Sequence, residues 1–313
     1  MIGANGQLGH ELRFALASLG EVTALTRPDL DLSDASHLQA NIEQVLETHH
    51  PEVIVNAAAY TAVDKAESEP ELAVQINAHA LQYLAEAANA SGACLVHYST
   101  DYVFAGDKPL THQYVETDTT NPQSVYGRSK LLGEQLIAQY CPKHLIFRTS
   151  WVLGQHGGNF LKTMLRLAQD RDQLQVVSDQ WGAPTSAALI AQTTTQVLTE
   201  MLAAPADDSR WGIYHLVAAG AVTWHQYAHY VISKAREAGL AIKINPQAIS
   251  PINTKDYPVA AIRPLNSQLN TDKIRQNFGI VLPNWQMGVD MVLKQVLATM
   301  PLTTPVVVQQ GKP

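Results

Sequence analysis

Gly3-Ala4-Asn5-Gly6-Gln7-Leu8-Gly9 spaces three glycines as G-x-x-G-x-x-G and runs into a helical pattern at Leu12, Leu16 and Leu19. This spacing calls for a sharp strand-to-helix turn, with backbone close to backbone where side chains would collide. Such a turn can cradle a pyrophosphate. The glycines admit the phosphates, and the helix N-terminus supplies N–H donors and positive potential. Alone, the motif fits a tight turn without a ligand equally well. The next hundred residues narrow the choice. Val22–Leu25 reads as a short strand, and Ser33 and Asp34 are capping candidates for a helix through Leu38, Ile42, Val45 and Leu46 that Pro51 stops. Val53-Ile54-Val55 is a β-branched run suited to a strand buried on both faces. A helix over about 71–90 closes at Gly92, a strand follows at Leu95–Tyr98, a helix spans 123–140, and another strand lies at Leu145–Phe147. Strand alternating with helix predicts an α/β fold with a doubly wound, mostly parallel Rossmann-type sheet. A strand of about five apolar residues normally precedes such a loop. Only Met1 and Ile2 stand there, so the first strand is expected to be truncated and Met1 not to be the natural start.

Beyond about residue 155 the alternation loosens. Helices are expected at Phe160–Gln169, Ser186–Leu202, Trp224–Ala238 and Trp285–Ala298, with strands at Leu174–Val177 and Ile213–Leu216. Glycine, proline and asparagine between 245 and 270 suggest long binding loops. The division predicted is a dinucleotide-binding domain over 1–155, with returning segments around 174–217. A smaller α+β substrate-binding lobe takes most of 156–313, with a frayed tail at 301–313. A chain that is 46% hydrophobic and 16% charged can bury a core of this size. The net charge of −7 argues against nucleic acid as a partner. No run of 18 apolar residues or signal peptide is visible, so no membrane partner is expected, and Cys94 and Cys141 fit a cytoplasmic setting as buried thiols.

The chemistry-bearing residues follow the sheet order. The second strand ends Ala24-Leu25-Thr26-Arg27 with no carboxylate at its tip. Arg27 there favours a 2′-phosphate, hence NADPH; Asp29 or Asp31 can still serve NADH, or Asp31 and Leu32 can sit against the adenine. Ala57, Ala58 and Ala59 follow the buried strand, and small side chains there let a flat cofactor lie on the backbone. Tyr126 and Lys130 stand four apart on a helix, so they share a face. An ammonium about 5 Å from a phenol would lower its pKa by about two units, toward neutral pH. Ser99 and Thr100 close the preceding strand, where a hydroxyl can polarise a substrate carbonyl. His225 and His229 lie at i,i+4, but no third ligand accompanies them, and they are read as packing histidines.

In this order the motifs resemble the extended short-chain dehydrogenase/reductases, and within them the dTDP-4-dehydrorhamnose reductase branch. The resemblance rests on Gly3–Gly9, Val55–Glu67, His97–Phe104, Tyr126–Lys130, Arg148–Trp151, Asp179–Thr185 and Arg263–Ser267, and spans nearly the whole chain. It implies hydride transfer from NADPH to the 4-keto group of dTDP-4-dehydro-L-rhamnose, giving dTDP-L-rhamnose for cell-surface polysaccharide. Tyr126 would protonate the alkoxide, Lys130 would tune Tyr126 and hold the ribose, and Thr100 would bond the keto oxygen. Asp101 and Trp151 would line the sugar site, and Arg263 would close over the diphosphate. Gly3, Asn5, Gly6, Gln7, Leu8, Gly9 and Thr61 complete the implied cofactor set. Leu153 departs from the pattern, since many relatives carry tyrosine there. Some members hold Mg²⁺ through glutamates near a dimer interface. Glu11 matches one such position, but Ala188 and Gln295 fall at or near the others, so no metal residue is assigned, and a homodimer is left open. Two other readings compete: a non-catalytic NADP-binding regulatory subunit of the same superfamily, and a nucleotide-sugar epimerase or dehydratase that recycles its NAD⁺.

Overall fold

In a computed structural model that describes residues 1–300, the first half runs α1 (Gln7–Ala15), α2 (Leu38–His49), β1 (Val53–Asn56), α3 (Val63–Ala66), α4 (Pro70–Val74), α5 (Ala80–Ser91), β2 (Cys94–Thr100), α6 (Val125–Tyr140) and β3 (His144–Thr149). The second half adds β4 (Val152–Leu153), α7 (Phe160–Asp170), β5 (Leu174–Val177), β6 (Trp181–Gly182), β7 (Thr185–Ser186), α8 (Ala187–Met201), β8 (Gly212–His215), β9 (Val222–Thr223), α9 (Trp224–Glu237), β10 (Ile249–Ile252), α10 (Asp272–Phe278) and α11 (Trp285–Ala298). The tail expected to fray lies outside the described residues.

The central sheet is parallel with order β1-β2-β3-β8. Every residue of β2 and β3 is buried, as continuous apolar strands covered on both faces should be. Ile2 extends the sheet by single bridges to Asn56 and Leu25, with Ile2 N donating to Val55 O at 2.9 Å and Leu25 N to Met1 O at 2.8 Å. The strand expected at 22–25 is thus reduced to one paired residue. Beneath Ile2 lies an open groove of about 460 Å³ lined by Leu16, Val22, Val53 and Leu198.

The helix expected from Ser33 begins at Leu38. Polar side chains use up the residues between in turns: Asp31 takes the Ser33 N–H, and Asp34 takes those of Ser36 and His37. The long helix ending at Gly92 (φ +76°) contains a π turn at Gln75–His79. That turn aims Asn77 at the Tyr60 backbone (2.9 and 3.0 Å) and at Ser129 Oγ (3.0 Å).

One core lies between the sheet, α1 and α8; another gathers α7, α9 and α11 around Leu165, Tyr227, Val231 and Val289. β5 does not join the central sheet; it pairs in parallel with β10. The helix at 272–278 had no sequence expectation. Among the described residues no helix is long and apolar enough to cross a membrane.

Candidate active site

One cavity of about 730 Å³ opens over the C-terminal ends of the central strands. At one end Arg27, Asp31 and Leu32 line it, in the middle Gly3, Asn5, Gly6, Gln7 and Leu8 face Ala57, Ala58, Ala59 and Thr61, and at the other end stand Thr100, Asp101, Tyr126, Lys130 and Trp151. Of the expected residues, Gly9, Asp29 and Arg263 lie outside its lining.

The loop geometry explains its glycines. Gly3 has φ +82°, and a Cβ there would meet Ala58 N at 2.7 Å. A Cβ on Gly9 would press into the Gly3 carbonyl, so Gly9 serves helix-to-strand packing rather than ligand contact. Arg27 is exposed and hydrogen-bonds Asp31 at 3.1 Å and Ser33 at 3.0 Å. This places a cation with a neighbouring carboxylate at the end where an adenosine ribose would lie. Ser99 Oγ and Thr149 Oγ1 line the same cavity and are buried without partners. A site of this length, with a glycine cradle at its middle and orphaned hydroxyls deep inside, fits a dinucleotide.

At the catalytic end, α6 starts at Ser124, whose side chain accepts the Gly127 N–H at 3.1 Å. This fixes Tyr126 in the first turn, with its ring edge-on to Tyr102 at 5.6 Å. Burial pushes the Tyr126 phenol well above its usual pKa, while the Thr100 hydroxyl acts in the opposite direction. This corrects the expectation that Lys130 lowers it. The Lys130 ammonium points away, donating to Tyr98 O at 2.6 Å and lying 2.8 Å from His97 Nε2. Burial brings Lys130 down to about 7, because a lysine at 1% exposure loses its charge readily. Asp101 is 3% exposed and is held by Ser267 Oγ and by Thr100 Oγ1 at 3.1 Å; burial raises its carboxyl to about 6.

Trp151 takes a left-handed backbone (φ +47°) and stacks on Trp224 at 3.6 Å. Trp224 also lines the cavity, and Gln180 orients it by accepting from its indole N–H at 3.1 Å. In the sequence Trp224 reads only as the start of a helix. The only signal for it was its proximity to an aromatic-rich segment. Gln7 is tied to Val152 O at 3.1 Å and to Asn159 at 2.7 Å, which locks the glycine loop to the second half. Arg263 sits apart from the lining, with Nη2 2.6 Å from Asp64 Oδ2. His225 Nε2 donates to Ile249 O at 3.0 Å, in keeping with a packing role.

Known proteins match this architecture closely. The model of the family described as RmlD substrate binding domain matches residues 1–298. The dTDP-4-dehydrorhamnose reductase of Escherichia coli (strain K12) is 47% identical over 299 residues, covering 96% of this chain and 98% of that protein. A crystal structure of a dTDP-4-dehydrorhamnose reductase from Clostridium acetobutylicum superposes with a TM-score of 0.85 at 34% identity, covering 96% of this chain and 98% of the other. The Bacillus anthracis reductase in complex with NADP gives 0.82 at 34% identity, covering 94% and 97%. The fold matches and the sequence similarity runs over nearly the full length, and the chain belongs to the RmlD substrate-binding-domain family of dTDP-4-dehydrorhamnose reductases.

Proposed function

We infer that the protein is an NADPH-dependent reductase converting the 4-keto group of dTDP-4-dehydro-L-rhamnose to the hydroxyl of dTDP-L-rhamnose. The observation that carries this is the continuous cavity running from the glycine cradle to Tyr126 and Thr100. The NADP-bound relative and the Arg27 end of the cavity support NADPH as the donor. Bound NADPH supplies the hydride. Gly3, Gly6 and the α1 N-terminus hold its diphosphate, and Ala57–Ala59 leave room for its rings. With substrate bound, Thr100 Oγ1 turns its one proton from Asp101 Oδ1 to the keto oxygen and polarises it. Tyr126 then gives its phenolic proton to the alkoxide. A raised phenol pKa suits that role, because the group stays protonated and ready to donate at neutral pH. Trp151, braced by Trp224, forms an apolar wall for the sugar. The second core, built on α7, α9 and α11, serves as the substrate lobe.

The test is absorbance of reduced cofactor on mixing the protein with dTDP-4-dehydro-L-rhamnose and either NADPH or NADH. Stoichiometric oxidation that requires the keto sugar is expected, faster with NADPH. Cofactor binding without turnover would favour a regulatory subunit. Sugar conversion without net oxidation would favour an epimerase or dehydratase.

A further inference from the structure

Helix α6 is held at its start by a residue from far back in the chain. Its first turn carries N–H groups that the helix itself cannot use. Ser124 accepts the Gly127 N–H. The Val125 N–H donates instead to Glu67 Oε1 at 2.8 Å, across 58 positions of sequence. Val125 is the first helical residue, and Tyr126 is the next. A carboxylate makes a charge-assisted bond to such an N–H, and its charge suits the positive end of a helix of 16 residues.

Glu67 reaches that amide because α3 carries it there. This helix is a single turn, and Glu67 ends it. Ala66, the residue before, has no exposed surface, so the turn is seated on the molecule rather than held out into solvent. At its other end Val63 lines the cavity, while Asp64 pairs with Arg263 and accepts the Ala261 N–H at 3.2 Å. The turn is thus fastened on both sides. The nearby ammonium of Lys65 is taken by Glu69 at 2.7 Å, which leaves the Glu67 carboxylate to α6.

We propose that Glu67 is a positioning residue for Tyr126: its bond to Val125 fixes the first turn of α6, and so the place of the phenol beside Thr100. Of the groups gathered at this end of the cavity, Tyr126 depends on that turn most directly. Thr100 is built into β2, and Lys130, one turn further on, is anchored by its own bonds to Tyr98 O and His97. Proton transfer is sensitive to such placement, since an error of about 1 Å can cost on the order of 10²-fold in rate.

The effect on turnover rests on the reductase reading above, but the anchoring does not. Amide hydrogen exchange, followed by NMR on the whole protein without cofactor, reads it directly. Val125 should exchange on the order of tenfold faster in Glu67→Ala than in the parent, and Glu67→Gln, which keeps an acceptor oxygen, should restore most of the protection. Equal exchange in all three overturns the proposal. In turnover, Glu67→Ala should lose about tenfold or more in kcat, while KM for the keto sugar and NADPH binding stay within about twofold, and Glu67→Gln should recover most of the loss. A merely structural role would lower the melting temperature and leave kcat per folded molecule unchanged. Unchanged kcat in Glu67→Ala, or a loss that Glu67→Gln does not relieve, counts against the proposal. Should Glu67→Ala fail to fold, Glu67→Asp, one methylene too short to reach, should raise Val125 exchange and lower kcat together; either change without the other overturns it. Exchange that follows the acceptor in a protein that never oxidises NADPH would uphold the anchoring of Tyr126 and fault the reductase reading instead.

Discussion

Asp101 has almost no water around it, and its titration should be visible in the stability of the protein. Its carboxyl is raised from 3.8 to about 6 on folding. Between those values the folded state binds more protons than the unfolded one, so stability falls as pH rises through the window. A displacement of that size costs on the order of 3 kcal/mol, and Asp101→Asn should remove that slope from denaturant midpoints measured between about pH 4 and 7. Tyr126→Phe removes a proton donor and little contact area. Turnover should fall on the order of 10²–10⁴-fold while NADPH binding, followed by fluorescence, stays near the parent value. That Tyr126 and Thr100 come together in one cavity was legible from residue type and position after a strand. The place of His97 was not, since an imidazole within an apolar strand looks like a satisfied core group until its partner is placed. The direction of the Tyr126 shift was also illegible. Four residues on a helix puts Lys130 on the same face but does not say which way a long side chain turns, and it turned to a carbonyl on β2.

Helix α6 carries the site in its first turn, and two of its own features help hold that turn in place. Ser124 caps it, and Gly127 lets it lie against the Tyr102 carbonyl, which an added Cβ would overlap. Ser124→Ala should cost about 1 kcal/mol of stability. Gly127→Ala should cost more and should also depress kcat, because the backbone must shift by the same turn that positions Tyr126. Thermal melts read beside steady-state rates check both. Elements with a strong period, such as α7, α9 and α11, emerged within a residue or two of expectation. The start of α2 shifted through local turns at Asp31 and Asp34, and the other misses depend on partners far away in the chain. The 22–25 segment has β-forming residues, but pairing is limited to Ile2. The short α10 packs Ile274 and Phe278 into the first core, a contact its seven residues do not advertise.

Across the whole molecule, the buried pair Glu134–Arg148 joins α6 to β3, with both side chains at 3% exposure or less. Removing one partner leaves an uncompensated charge, so Glu134→Gln should destabilise by about 3–5 kcal/mol, whereas replacing both by apolar residues of similar volume should cost much less. Unfolding curves of the single and double variants distinguish the cases. β2 lies between β1 and β3 with all seven residues buried, and it ends in Thr100. Backbone amides so placed exchange with deuterium only when the molecule opens globally. The Thr100 hydroxyl is therefore mounted on a part that does not loosen by itself. Heating should leave the enzyme working until it melts, with activity and ellipticity lost over the same few degrees rather than the site failing first.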